Sequence, residues 1–365
     1  MKKLVFFLPD ITTSGGVERV VCSLANALHA TELYEVHILT SVKAETLPHY
    51  QLHSDICIDT LSCTDYPRNS FSKILWYLKL VEPLQKYIKQ NSPDTIFSEG
   101  GYLSLCLALV RTRKTKKIGC EHINHKALNL VHSFVRRHLF KRLDALVVLT
   151  AQDQTYYQAF LRNVVLIPNF IDIENLFFEG SRDQTIVACG RLVNQKGFDL
   201  LIKAFYNVHK NEPGWNLVIY GEGTERHKLE KLTSDLALQS SVILPGFTKS
   251  IYHNLQRASI FVMPSRYEGF PLALLEAMTV GLPVICTNIS GIDALIRNNE
   301  NGLLVDPNNV TGIEKAILRL IGSSELRESL SYASRITASD YHVSVVIDKW
   351  QNLIGMTKHN GRNGI

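Results

Sequence analysis

Lys3-Leu4-Val5-Phe6-Phe7-Leu8-Pro9, followed by Ser14-Gly15-Gly16-Val17-Glu18-Arg19, opens the chain and sets its fold class. Residues 4–8 are short, continuously apolar and closed off by Pro9, the pattern of a parallel strand buried on both faces. Val17, Val20, Val21, Leu24 and Leu28 then recur at helical spacing. Strand, glycine loop and helix in that order begin a doubly wound α/β sheet. The loop lacks the Gly-x-Gly-x-x-Gly fingerprint of dinucleotide folds, so alone it specifies only a turn whose N–H groups a phosphate or sugar can approach.

The alternation continues. Strand patterns cover 34–40, 94–98, 117–120, 145–150 and 164–167, with helical spacing over 74–88 and 128–143. Pro168-Asn169 and the polar segment 179–183 interrupt the series. It restarts at 185–189, with further strands at 217–220, 242–244, 260–263 and 283–286 and helices near 199–209, 224–236, 271–280 and 311–321. Two strand-first series predict two parallel-sheet domains facing across a cleft, over residues 1–175 and 176–340. Residues 341–365 form a tail that starts with the amphipathic segment 342–353.

Composition agrees with two globular domains. The chain has 365 residues, 45% hydrophobic and 20% charged, ample for two cores at ~150 residues each. Seven cysteines, at 22, 57, 63, 106, 120, 189 and 286, are scattered, odd in number and free of any Cys-x-x-Cys pair. They read as free thiols in a reducing compartment. Lys2-Lys3 precede an apolar run that Pro9-Asp10 end before a signal h-region is complete. The longest later apolar run, 103–110, is far short of the ~20 residues that span a bilayer. A cytoplasmic location is therefore expected.

The net charge of +5 is unevenly placed. From Pro67 to Leu143 there are fifteen Lys and Arg against four acids, a local +11 that leaves −6 for the remainder. Arg111, Arg113, Lys114, Lys116 and Lys117 form one run; Arg136, Arg137, Lys141 and Arg142 form another; Trp76, Tyr77 and Leu78 lie among Lys73, Lys79 and Lys86. Such asymmetry calls for an acidic partner. No nucleic-acid module accompanies the charge, so an anionic membrane surface is expected and nucleic acid is not.

Arg266-Tyr267-Glu268-Gly269-Phe270-Pro271-Leu272-Ala273-Leu274-Leu275-Glu276-Ala277-Met278 carries the chemistry. Pro271 suits a first helical position, so Glu268 falls at a helix mouth where N–H groups and the positive dipole end gather. Gly269 lets the backbone approach a ligand. Paired carboxylates at such a mouth suit a polyhydroxylated ligand, and Glu276, set among Leu, Ala and Met, requires a partner. Arg191 and Lys196, flanked by Gly190 and Gly197 after a strand, are by themselves either a solvated strand-to-helix loop or a pair of cations for a diphosphate. His122 stands at the end of a predicted strand. His125 lies nearby, but no third ligand of comparable spacing makes the two a metal pair. No Asp-x-Asp occurs, so the clustered carboxylates that hold a metal–diphosphate are missing and no metal is expected.

Glu268 and Glu276 with seven residues between them, together with the Ser14–Arg19 loop, Gly119-Cys120-Glu121-His122-Ile123-Asn124 and Gly190-Arg191-Leu192-Val193-Asn194-Gln195-Lys196-Gly197-Phe198, resemble glycosyltransferase family 4, the retaining enzymes of GT-B fold. The four segments occur in the family's order over most of the chain. Resemblance implies two Rossmann-like domains, the first for the acceptor and the second for the donor, with a last helix crossing back onto the first. It implies a nucleotide-diphosphate sugar as co-substrate and no further cofactor. Arg191 and Lys196 would stabilise the leaving diphosphate, Glu268 would bind the sugar and Glu276 the ribose, with Gly269 and Phe270 between them on the donor side. Glu222 and the backbone near Phe247 would border the nucleotide. Gly15 and Gly16 would lie near donor phosphate and acceptor, and His122 would help stabilise the reacting centre.

The Glu121-His122-x-Asn124 version resembles members that build exopolysaccharide, lipopolysaccharide or lipid-linked oligosaccharide. The expected activity is retaining, metal-independent transfer of a hexose or N-acetylhexosamine from a UDP-sugar to a lipid-linked or surface-polysaccharide glycan, at the inner face of the cytoplasmic membrane. UDP rests on the resemblance, and the residues themselves leave GDP and ADP open. An epimerase or phosphorylase of the same architecture and a noncatalytic sugar-nucleotide or nucleic-acid binder are the alternatives, since fold alone does not fix function.

Overall fold

The computed structural model describes residues 1–43, 46–63, 76–172, 180–248 and 251–355. The chain forms two α/β units, Met1–Phe170 with the chain from Val343 onward, and Ile171–His342.

The first unit holds β1 (Lys2–Leu8), β2 (Tyr34–Val42), β3 (Cys57–Cys63), β4 (Thr95–Glu99), β5 (Lys116–Glu121), β6 (Ala145–Val148) and β7 (Val164–Leu166). Their order is β3-β2-β1-β4-β5-β6-β7, and every pairing is parallel. Strand order reverses between β1 and β4, so the loops leaving their carboxyl ends diverge and open a crevice. The helix Gly16–His29 buries Val20, Val21, Leu24 and Leu28, as its spacing predicts. Phe6 and Phe97 stack at 4.8 Å across β1 and β4. The final helix, Val343–Gly355, belongs to this unit. Its Trp350 meets Phe97 edge-on at 5.6 Å, and buried Lys116 donates from Nζ to the Leu353 carbonyl at 2.5 Å.

The second unit holds β8 (Thr185–Cys189), β9 (Asn216–Tyr220), β10 (Val242–Gly246), β11 (Ile260–Met263), β12 (Val284–Thr287) and β13 (Leu303–Val305). The order β10-β9-β8-β11-β12-β13 is again fully parallel. Here the reversal lies between β8 and β11. Ile186, Ala188, Leu217, Ile260 and Ile285 feed one core with Leu201 and Phe205 of the helix Phe198–Asn211.

Several elements differ from expectation. No residue of the edge strand β3 from Cys57 to Leu61 is buried, and β13, though apolar, is only three residues long, so neither gives a strand-length apolar signal. The helix Gly101–Leu109 is buried nearly all round, which erases its periodicity. The helices Ala151–Gln158, Ile251–Arg257 and Ser324–Ser339 were likewise not anticipated. The expected helix 74–88 is described only from residue 76, breaks at Leu80 and resumes as Val81–Asn91; Lys73 lies outside the described residues. Trp76 and Tyr77 pack in the core beside Leu80 and Leu84, so among the described residues these two rings form no surface with the neighbouring lysines. Pro271 sits one residue earlier than expected, at the N-cap of the helix Leu272–Thr279.

Trp350→Ala should cost about 3–5 kcal/mol of stability, the usual range for emptying a buried aromatic site. Urea unfolding of the first unit checks this. A loss within about 0.5 kcal/mol, as at exposed positions, would mean that the last helix merely rests on the sheet.

Candidate active site

β8 and β11 are hydrogen-bonded neighbours at the point of reversal, so the loops carrying Arg191–Lys196 and Ser265–Glu268 leave side by side. Gly197 has φ +66°, and a Cβ there would lie 2.1 Å from the Pro264 carbonyl oxygen. Only glycine allows that approach. Arg266 N–H donates to the Gln195 carbonyl at 2.8 Å, and Gln195 Nε2 donates to the Tyr267 carbonyl at 2.9 Å. The Arg266 guanidinium grips both Asp199 oxygens at 2.9 Å and the Asn194 carbonyl at 2.6 Å. Burial alone would raise the Asp199 carboxyl, but the Arg266 bonds outweigh it and hold it below its ordinary value.

On this frame Lys196 Nζ stands 2.7 Å from Glu268 Oε1, which also accepts from Ser265 Oγ at 2.6 Å. Glu268 is buried. Both bonds fall on Oε1, and no described residue bonds Oε2, which leaves that oxygen for a ligand hydroxyl. Arg191 is exposed, and its guanidinium has no partner among the described residues. One cation is thus anchored and the other is unpaired among the described residues.

A Cβ on Gly221 (φ +142°) would sit 1.9 Å from the Gly190 carbonyl oxygen, so the loop after β9 also packs backbone on backbone. Glu222, the residue after it, is exposed but held by Arg226 through bonds of 2.6 and 2.7 Å, which keep its carboxyl below the usual range. Phe247 is half exposed. Glu276 is 4% exposed and accepts from Tyr252 Oη at 3.1 Å, a partner its apolar setting requires. Phe270 is buried against the Tyr341 ring at 5.7 Å, so its side chain is a packing element and only its backbone is left for a donor. Gly269 stands between it and Glu268.

In the first unit, His122 Nε2 lies 2.7 Å from Glu99 Oε2. Burial lowers the His122 pKa, but the Glu99 bond and the charges of Glu99, Glu121 and Glu18 prevail and raise it. Glu18 comes from the first turn of the helix that Gly15 caps and Gly16 begins. Burial is the main cause of its raised pKa, opposed by hydrogen bonds and by His122. Glu99 and Glu18 were not anticipated, although Glu99 ends a strand at the reversal point, where α/β sheets place functional groups. His125 pairs separately with Asp153 at 2.7 Å, so the two histidines share no site. Among the described residues, His29, His53 and Asp55 bring three potential metal ligands close together, but they include none of the candidate residues.

Three members of the expected basic surface are not on it. Arg136 is buried against Glu121 at 2.8 Å, and a Cβ at Gly101 would fall 1.9 Å from its Nη2. Lys116 and Lys117 are buried in β5, their amines spent on the carbonyls of Leu353 and Val110. Arg111, Arg113, Lys114 and Arg137 remain exposed.

The two doubly wound units correspond to two glycosyltransferase family profiles. Residues 14–175 match the profile of Glycosyltransferase Family 4, and residues 172–337 match Glycosyl transferases group 1. A Haemophilus influenzae protein described as an uncharacterized glycosyltransferase is 31% identical over 97% of this chain and 100% of its own. The chain belongs to this glycosyltransferase family and is a transferase. The Campylobacter jejuni GalNAc-alpha-(1->4)-GalNAc-alpha-(1->3)-diNAcBac-PP-undecaprenol alpha-1,4-N-acetyl-D-galactosaminyltransferase is 26% identical over 98% of this chain and 100% of its own. Staphylococcus aureus TarM, solved with fondaparinux, alpha-GlcNAc-glycerol and UDP, superposes with a TM-score of 0.84 at 16% identity, covering 98% of this chain and 100% of that one. This likeness supports the GT-B fold class.

Glu99→Gln should lower the His122 pKa, read by NMR titration of the imidazole. Because the folded pKa is raised, the pair adds stability below the free value of about 6.5 and loses it as pH climbs through the folded value. An unchanged titration in the variant would remove Glu99 as the cause.

Proposed function

We propose that the protein transfers a hexose or N-acetylhexosamine from a UDP-sugar to a lipid-linked or surface-polysaccharide glycan, with retention of anomeric configuration and without a metal ion. The observation that carries the proposal is the Lys196–Glu268 pair at the reversal of β8 and β11, with exposed Arg191 on the same loop. The donor's C1–O bond to the diphosphate breaks as a C1–O bond to the acceptor forms. Arg191 and Lys196 neutralise the charge gathering on the departing diphosphate. A diphosphate oxygen takes the acceptor's hydroxyl proton on the same face, so no separate protein base is needed. Glu268 Oε2 binds a sugar hydroxyl, Glu276 the ribose, and His122 supports the reacting centre. UDP in the TarM structure and the diphospho-undecaprenol-linked substrate named for the Campylobacter relative support these choices. Among the described residues no helix is long and apolar enough to cross a membrane, and the enzyme is proposed to meet its lipid-linked acceptor at an anionic membrane surface.

A screen of UDP-, GDP- and ADP-sugars, scored by acceptor-dependent nucleotide release and then by the product's anomeric linkage, tests the reading. Release without an acceptor product, or an inverted linkage, would overturn it.

Arg191→Ala and Lys196→Ala should each lower turnover by on the order of 10²–10³, the cost of removing one preorganised electrostatic stabiliser. Activity should survive EDTA. Near-normal turnover in a folded double variant, or abolition by EDTA with rescue by Mg²⁺, would remove the respective assignment.

Glu276→Gln should chiefly raise KM for the donor, whereas Glu268→Gln should chiefly lower kcat. Ribose contacts are alike in ground and transition states, while Glu268 holds both the sugar and Lys196 as the bond breaks. Equal donor-affinity losses with intact turnover would contradict this division.

A further inference from the structure

The helix Leu130–Leu139 follows the His122 loop and turns an apolar face to solvent: Leu130 is 89% exposed, Val131 69% and Phe134 65%. Scattered exposed apolar residues are normal, but three on one face form a patch. At helical spacing Arg137 and His138 extend that face by a turn, and the His138 ring lies tilted against Phe134 with centroids 4.3 Å apart. Lys126, Lys141 and Arg142 are exposed at its two ends. From His122 to Leu143 the sequence contains no Asp or Glu.

The helix cannot roll this face inward. Its opposite side is fixed by the buried Arg136–Glu121 pair and by the bond of 3.0 Å between His132 Nε2 and Tyr102 Oη. Its start is fixed by Asn129, whose side chain accepts from His132 N–H. Exposure of Leu130, Val131 and Phe134 is therefore built into the fold.

We infer that this face docks on an anionic lipid surface, with Leu130, Val131 and Phe134 entering the acyl boundary and Arg137, Lys141 and Arg142 meeting the headgroups. The inference rests on the lipid-linked acceptor proposed above and names the surface that reaches it. A cationic, acid-free rim complements anionic lipid, whereas a second copy of the face would repel it. The surface differs from the expected run at 111–117, where two of five basic residues are buried and the run itself holds no exposed apolar side chain.

Co-sedimentation of the full chain with phosphatidylcholine–phosphatidylglycerol vesicles, and with phosphatidylcholine alone, tests the inference. Wild type should bind the anionic vesicles. The triple variant Leu130→Ser, Val131→Ser, Phe134→Ser should bind them at least about tenfold more weakly, with an unchanged melting temperature and unchanged transfer to a soluble acceptor. Arg137→Gln, Lys141→Gln, Arg142→Gln should weaken binding by on the order of 10² at low salt, at roughly fivefold per charge. Binding of the triple variant equal to wild type would overturn the inference, as would no wild-type binding to either vesicle. Self-association of wild type that the triple variant abolishes would assign the face to a second copy instead. Vesicle binding without transfer to any glycan acceptor would count against the proposed function and leave the docking face standing.

Discussion

In a parallel sheet each strand delivers its following loop to the same edge, and where strand order reverses two neighbouring strands start their loops side by side before the chains turn apart. That constraint sets the whole second unit, because β8 and β11 are the neighbours at that place. It brings Lys196 and Glu268, 72 residues apart in sequence, to 2.7 Å. The glycines follow from the same crowding. With two backbones meeting at Gly197 and Pro264, a side chain has no room. The first unit obeys the same rule: Glu99 ends β4 at its reversal point, and His122 follows the adjacent β5.

The ion pairs at these edges organise the sites more than they stabilise the fold. Desolvating two charges offsets much of their attraction, so a buried pair is weak evidence for stability. What each pair fixes is position. Glu268 fixes the Lys196 amine, Glu99 fixes one His122 nitrogen, and Glu121 fixes Arg136 and with it the helix Leu130–Leu139. The carboxylate side of this arrangement is compact, since Glu18, Glu99 and Glu121 all act on one imidazole. Their influence raises the His122 pKa against the opposing effect of its burial. Arg191 is the exception, exposed and unpaired among the described residues.

Much of the fold was legible because buried parallel strands are continuous apolar runs and the helices between them are one-sided. Residues 4–8 and the Gly16–His29 helix illustrate both signals. Where burial surrounds an element the signal vanishes, as in Gly101–Leu109, and where burial is slight it also vanishes, as in β3. The candidate residues of the second unit were legible as local motifs, but the Lys196–Glu268 contact was not, because it depends on strand order. Glu99 was missed for the same reason. Lys116 and Lys117 misled because a run of like charges normally marks a solvated face. Here Lys116 spends its amine on a helix end 237 residues away, which no local pattern encodes.

The second basic run was read as one patch, yet the helix divides it by angle. Arg136 and Arg137 are adjacent in sequence, and a helical step of about 100° sends one inward and the other outward. The inward arginine neutralises Glu121, whose own pKa burial pushes up, and the outward one reaches the Phe160 ring at 5.4 Å while staying exposed. The same step carries Leu130, Val131 and Phe134 outward. Once the Arg136–Glu121 pair is formed, the direction of the apolar face is no longer free. The residue that anchors the helix to β5, next to His122, is thereby also the one that aims Leu130, Val131 and Phe134 at solvent.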